Sequence, residues 1–268
     1  MRLRQSVAPL LAAARRRLHA PPKEDAGLRD SKLSGWFRQE TGELLEGFPV
    51  FAHDVVLDVG CGEGEFSHFM AQQGAEVIVA DIDARKIAAA RKRLAHTRTR
   101  SVRAVVTDAS PLPLRDATIS KIVAMEVLEH VDNPRAFLKE LYRVANPGAL
   151  FLISVPAQLS EEIQIDLAPP AYFQPPNHLR IFRGEELEKL VREAGLLIER
   201  RVSYGFYWSM WWCLFWACHQ NLKDPWHPLL RSWEKTWDLL LEDPQGIKTK
   251  HVLDARMPKS LAIIARKS

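Results

Sequence analysis

Cysteine is scarce: the 268-residue sequence holds only Cys61, Cys213 and Cys218, with no C-x-x-C spacing, so neither a disulfide framework nor a cysteine zinc site organises the fold. This usage fits a reducing compartment. Long apolar runs are missing too. None reaches the roughly 18 residues that suggest a membrane span, and no signal-peptide core precedes a cleavage site, so the expected location is cytoplasmic or peripheral to the inner face of a membrane. A broad basic surface is also absent. The formal charge of +4 arises within residues 1–23, which carry six Lys/Arg and no Asp/Glu, and this leaves 31 basic against 33 acidic residues in the rest. So neutral a body argues against nucleic acid as a partner.

What is present is a glycine-rich break after a short apolar run. Val55–Val59 is β-branched and too short for a typical helix, which suits a strand covered on both faces. Gly60, Gly62 and Gly64 follow it, and allow a tight turn whose backbone N–H groups can approach a ligand without interference from a Cβ. A dinucleotide fold would show G-x-G-x-x-G. Here the spacing is G-x-G-x-G, flanked by Asp58, Glu63 and Glu65. These carboxylates would repel a diphosphate but can accept hydrogen bonds from an amino-acid ammonium, which disfavours NAD.

The run D-x-G-C-G-x-G resembles the first motif of class I S-adenosylmethionine (SAM) dependent methyltransferases, within the broad group that includes the ubiquinone-pathway enzymes. The resemblance extends from Val55 to about Leu190, roughly half of the chain. It implies SAM as cofactor, held in part by Asp58, Gly60, Cys61, Gly62 and Gly64. It further implies an α/β, Rossmann-like, doubly wound sheet of seven strands, mostly parallel with the last antiparallel.

The remaining pattern follows that rhythm. A helix is expected over residues 66–73, stopped by Gly74, then a strand over residues 76–80 ending at Asp81-Ile82-Asp83. Asp81 is placed to accept from ribose hydroxyls, whereas Asp83 reads as the N-cap of a helix over residues 84–95. A third strand, residues 101–106, leads into Asp108 and Ala109, and the resemblance implies that this aspartate meets the adenine amino group. The fourth strand, residues 119–124, runs into Met125 and Glu126, where the family's cofactor site continues. Asn133 caps and Pro134 opens the next helix. Pro147-Gly148 is expected to turn into a fifth strand, residues 149–155, with the sixth and seventh at residues 196–204 and 261–265.

Four parts are expected: residues 1–32 as a basic amphipathic arm and linker, 33–204 as the SAM-binding core, 205–259 as a Trp-rich helical cap, and 260–268 as the last core strand. In the arm, Leu3, Val7, Leu10, Leu11, Ala14 and Leu18 repeat at helical spacing among arginines. Such a helix suits an anionic membrane, an organelle transit peptide or docking on its own domain. Trp36 reads either as a lid residue over the cofactor or as a packing aromatic. The cap holds seven of the eight tryptophans, and its aromatic run 204–216 is apolar on nearly every side. It is either buried over the site or faces a long apolar substrate or lipid.

In methyl transfer from a sulfonium the cofactor brings its own leaving group, so the protein mainly positions the reactants and excludes water. A hydroxyl acceptor also needs a base, for which His130 and His178 are the catalytic candidates. Glu126-x-x-Glu129-His130 resembles the segment that binds a divalent cation in the ubiquinone O-methyltransferases; relatives with similar letters lack the metal, and no metal ligand is assigned. The expected partner is a small or lipid-linked substrate, methylated at a hydroxyl oxygen. Carbon methylation of quinone or polyketide type and SAM binding without transfer are the alternatives. Acceptor identity and oligomeric state are not legible.

Overall fold

The computed structural model describes residues 25–175 and 177–268. The basic arm expected over residues 1–23 lies outside the described residues. The chain runs α1 (Ala26–Leu33), β1 (Trp36–Arg38), β2 (Glu43–Leu45), β3 (Phe48–Pro49), β4 (Val55–Val59), α2 (Glu65–Gln72), β5 (Glu76–Asp81), α3 (Ala84–Leu94), β6 (Val102–Val106), β7 (Ile119–Met125), α4 (Pro134–Val144), β8 (Ala145–Pro156), α5 (Gln158–Leu167), a 3₁₀ turn (Pro170–Phe173), α6 (Glu186–Glu193), β9 (Leu196–Tyr204), α7 (Phe206–Ala217), α8 (Pro228–Leu240), α9 (Pro244–Arg256) and β10 (Ser260–Lys267).

Seven strands form one sheet in the order β6-β5-β4-β7-β8-β10-β9. β4 to β8 pair in parallel, and β10 runs antiparallel to both β8 and β9. This is the expected doubly wound sheet with an antiparallel final strand. Apolar clusters cover both of its faces: Leu138, Leu141 and Val144 of α4 lie on one side, and Phe69 and Met70 of α2 with Ile87 and Ala90 of α3 on the other. Asn133 Oδ1 accepts from Ala136 N–H at 3.0 Å ahead of Pro134, and Asp83 Oδ1 accepts from Arg85 N–H at 2.8 Å, so both N-caps form as read.

Local departures have physical causes. The segment expected to link residues up to Lys32 is helical from Ala26, with Asp25 as its N-cap. Residues 36–49 form a small antiparallel sheet, β1-β2-β3. Trp36 there is 2% exposed and packs on Phe66 and Tyr204, the packing reading rather than the lid. Pro147-Gly148 does not precede the fifth strand but sits in a bulge inside it, because the pairing jumps from Ile119–Ala145 to Lys121–Leu150. The Trp-rich helical region holds three helices: the aromatic run forms α7, and Pro228 and Pro244 open α8 and α9.

A buried charge network fastens α1 to the cap. Lys250 is fully buried and its ammonium donates to Asp254 and to Ser34 Oγ (2.6 Å), with Asp30 Oδ1 at 3.6 Å. Trp237 Nε1 donates to Asp30 at 2.9 Å, and Arg29 bridges to Asp238 and the Leu241 carbonyl. Burial raises the Asp30 carboxyl to about 6, against the pull of Lys250. A raised carboxyl pKa means that the stability it contributes is present below about pH 4 and lost as pH rises through 6. Lys250→Met leaves these acids without their cation and is expected to cost about 3–5 kcal/mol at pH 8. The loss should shrink at pH 5, where Asp30 takes up a proton. Urea unfolding at the two pH values checks this, and an equal loss at both would overturn it.

Candidate functional site

The glycine loop sits where the strand order reverses, between β4 and its two neighbours, at the carboxyl ends of the strands. Gly60 and Cys61 N–H both donate to the Ala80 carbonyl, at 2.8 and 3.1 Å, which ties the loop to β5. Asp81 completes the tie: one carboxylate oxygen accepts from Gly62 N–H at 3.0 Å and the other from Asp83 N–H at 2.9 Å. Each oxygen keeps further lone-pair capacity.

The three glycines differ in what surrounds them, although all have positive φ. A Cβ at Gly60 would stand 2.3 Å from Val127 Cγ2, and one at Gly64 would stand 3.0 Å from Ala90 Cβ. A Cβ at Gly62 would meet nothing within 4 Å. Gly60 and Gly64 therefore serve packing, while Gly62 opens onto free space. Ile82 lies beside that space at 74% exposure, directly after the acidic strand end. Asp108 is exposed with Oδ1 accepting from Ser110 N–H at 2.9 Å, and Ala109 beside it has φ +60. An acidic strand end, an exposed apolar side chain and an open glycine fit an adenosine ligand. Asp58, by contrast, is buried and accepts from Ser67 Oγ; burial, with help from Asp81, raises its carboxyl to about 7. Cys61 is buried, which pushes its thiol up.

A second cluster follows β7. Glu126 takes φ +53, a conformation that costs a non-glycine residue about 1–3 kcal/mol. It is held by Ser154, whose Oγ donates to Oε1 at 2.9 Å, and by Lys259 Nζ, which donates to Oε2 at 3.0 Å. Burial lowers Lys259, but the attraction of Glu126 outweighs it and the ammonium stays charged.

Leu179 N–H donates to the Glu129 carbonyl at 2.8 Å and so lays the 3₁₀ loop against the segment after β7. His130 and His178 thereby meet edge to face, with ring centroids 4.9 Å apart. His178 Nδ1 lies 2.5 Å from Glu161 Oε2, and Glu161 Oε1 accepts from Tyr172 OH at 3.1 Å. Because a carboxylate only accepts, Nδ1 is the donor of this contact, and in the neutral ring Nε2 is then the nitrogen that can accept. Glu129 is 1% exposed, and neither of its oxygens has a hydrogen-bond partner; burial, reinforced by Glu126, raises its pKa well above the carboxylate range. Tyr172 meets His178 at a tilt and Trp216 edge to face, so an aromatic wall runs from the cap to the histidines.

The structure thus joins the two histidines and brings in Glu161, Tyr172, Ser154 and Lys259, which the motifs did not flag. These four come from separate elements, and nothing in their local spacing marks them. Gly60→Ala is expected to lower the melting temperature more than Gly62→Ala, because only the first drives a Cβ into Val127. Gly62→Ala, whose cost in the fold is roughly 1–2 kcal/mol of backbone strain, should instead show its larger effect on calorimetric SAM affinity. The reverse ranking would refute the division of roles.

Comparison with known proteins agrees with this geometry. The chain matches the methyltransferase domain family over residues 7–200. It is 32% identical over 148 residues to a protein of Mycolicibacterium smegmatis named a probable SAM-dependent methyltransferase, covering 54% of this chain and 52% of that one. It is 28% identical over 163 residues to a ubiquinone biosynthesis O-methyltransferase of Azoarcus, covering 58% and 69%. The match spans about half the length of the mycobacterial relatives. Among solved structures, a SAM-dependent methyltransferase from Mesorhizobium loti superposes with TM-score 0.55 at 15% identity over 83% of this chain and 94% of its own. A geranyl diphosphate C-methyltransferase from Streptomyces coelicolor gives 0.56 at 13% over 89% and 80%. With the family match covering most of the chain and the sheet order and loop geometry in accord with it, this chain belongs to the methyltransferase domain family and has the class I SAM-dependent methyltransferase fold.

Proposed function

We propose that the chain is a SAM-dependent methyltransferase that methylates a hydroxyl oxygen of a small or lipid-linked acceptor. The observation that carries this reading is the meeting of His130, His178, Glu129 and Glu161 beside Val127, the residue whose side chain abuts Gly60 of the cofactor loop. The bound cofactor supplies a sulfonium methyl with a good leaving group. Asp81 would hold the ribose, Ile82, Ala109 and Asp108 would line the adenine side, and Gly62 would let the backbone approach. Asp58, Gly60, Cys61 and Gly64 shape the loop, and Glu126 stands at the amino-acid end. His178, oriented through Nδ1 by Glu161, presents Nε2 to the acceptor hydroxyl and takes up its proton as the methyl moves.

The aromatic wall of Tyr172 and Trp216 favours an acceptor with an apolar or planar body. Among the described residues no helix is long and apolar enough to cross a membrane. The outer surface of the cap nevertheless exposes Leu222, Leu229, Leu239 and Val252, and carries a groove of about 650 Å³ lined by Phe206, Met210 and Trp233. Together with the basic arm this supports contact with an anionic membrane surface, where a lipid-linked acceptor would be met.

The test uses isotope-labelled methyl SAM with a panel of amphipathic phenols and lipid-linked sugars, with the product's carbon shift read by NMR. A methyl on oxygen is expected, and a methyl on carbon would replace this reading with C-methylation. His178→Ala should lower kcat by about 10²–10⁴ while leaving SAM affinity unaltered; an undiminished kcat would remove His178 from the chemistry. Removing residues 1–23 should spare SAM binding and reduce co-sedimentation with anionic liposomes. Equal sedimentation of both forms would sink the membrane contact.

A further inference from the structure

Three groups stand out beyond the cofactor loop: the cap groove, the buried Asp30–Lys250–Asp254 network and the cluster after β7. The cluster contains a buried carboxylate with neither oxygen hydrogen-bonded, whereas in the network Asp30 lacks a partner on Oδ2 alone and accepts from Trp237 on Oδ1. Glu129 is 99% shielded, yet neither carboxylate oxygen accepts a hydrogen bond, an arrangement that costs several kcal/mol unless something not yet bound completes it. Around it, ligand atoms of Glu129, His130 and His178 all lie within 4.8 Å of one another. An ion held at about 2.1 Å sets its ligand atoms roughly 3–3.5 Å apart, so binding would draw these side chains inward.

We infer that Glu129, His130 and His178 form a two-histidine, one-carboxylate site for a divalent transition cation, with Glu161 as the outer ligand that orients His178. This inference rests on the proposed acceptor site and names its cofactor class. It also departs from the ligand set that the resemblance implies, Glu126 with Glu129 and His130. Glu126 is already engaged on both oxygens, by Ser154 Oγ and by the Lys259 ammonium, and a cation there would have to displace a like charge. His178 takes its place from a different element. Its Nδ1–H is bound to buried Glu161, the carboxylate–histidine pairing that fixes the tautomer and directs Nε2 to a metal.

Donor chemistry selects the ion. Two imidazoles and one carboxylate favour Mn²⁺, Fe²⁺, Co²⁺ or Zn²⁺ over Mg²⁺, which prefers an all-oxygen octahedron. Three protein ligands also leave open positions at which an acceptor hydroxyl could be bound and made more acidic; with its Nε2 lone pair on the ion, His178 would then serve as a ligand rather than as the base, and the hydroxyl would release its proton to water.

The test is a titration of the chelator-stripped full chain with Co²⁺ in the absence of SAM, followed by calorimetry and by the visible ligand-field spectrum. One cobalt per chain is expected, bound more tightly than Mg²⁺. His178→Ala and Glu129→Gln should abolish the spectrum, Glu161→Gln should weaken binding by about tenfold to a hundredfold, and Glu126→Gln should leave it in place; circular dichroism confirms that each variant is folded. A wild-type chain that binds no cobalt, or a spectrum lost with Glu126→Gln and kept with His178→Ala, overturns the inference. The labelled-methyl assay run on stripped protein separates the two readings. Full transfer without any metal refutes the cation and leaves the methyltransferase proposal standing, whereas cobalt binding with the predicted ligand set supports the site even if no tested acceptor is methylated.

Discussion

The close approach of Gly60 to Val127 is the constraint on which the rest of the site depends. It brings the loop after β4 against the segment after β7, and these are adjacent parallel strands at the point where the order of the sheet reverses. Any side chain at position 60 would separate the two loops. With them in contact, the ligand space beside Gly62 and the His130–Glu129 cluster become neighbours, although almost seventy residues separate them in the chain. The geometry of the sheet therefore does most of the positioning, and the loops add chemistry to positions that the strands already define.

The glycine loop and the strands around it were legible because their signals are local. A β-branched run, glycines at fixed offsets and an acidic residue one strand-helix-strand unit later all occur within short windows, and backbone geometry translates them directly into a turn and a carboxylate at a strand end. The same holds for the caps Asp83 and Asn133, where one side chain satisfies a nearby backbone N–H. The acceptor half was only partly legible. His130 and His178 could be nominated separately, but their meeting depends on the hydrogen bond from Leu179 to the Glu129 carbonyl, which no periodicity encodes. Glu161 lies on α5, and Lys259 reaches Glu126 from just before the last strand. Contacts between residues so far apart in the chain leave no trace in local spacing.

The cap shows the same limit in another form. An aromatic run that is apolar on every side indicates burial or lipid without choosing between them. In the structure Tyr207, Trp211 and Phe215 face inward with Leu230 and Trp237, while Trp208 packs against Gly27 of α1 and Trp216 turns toward Gln164 and Tyr172. One helix thus does three jobs: it forms a small core, closes over the N-terminal helix and supplies a wall to the site. The buried ions of Lys250, Asp30 and Asp254 fix the orientation of this unit, since an ammonium in an apolar setting is stable only where its partners are placed to meet it.

Electrostatics then shapes what the site can hold. Glu126, Glu129 and Glu161 converge near one ammonium, Lys259, and two of the three carboxyls are almost completely buried. A buried group of acids with too little positive charge must take up protons or bind cations. Burial and Glu126 raise Glu129 for that reason, and its oxygens stay unpaired. A cationic ligand entering this region offsets a penalty already present in the fold, whereas a neutral one does not. The carboxylate of Glu129 is thus kept out of water with no hydrogen bond on either oxygen, and His130 Nε2 at 3.8 Å is the nearest group that could carry a compensating charge.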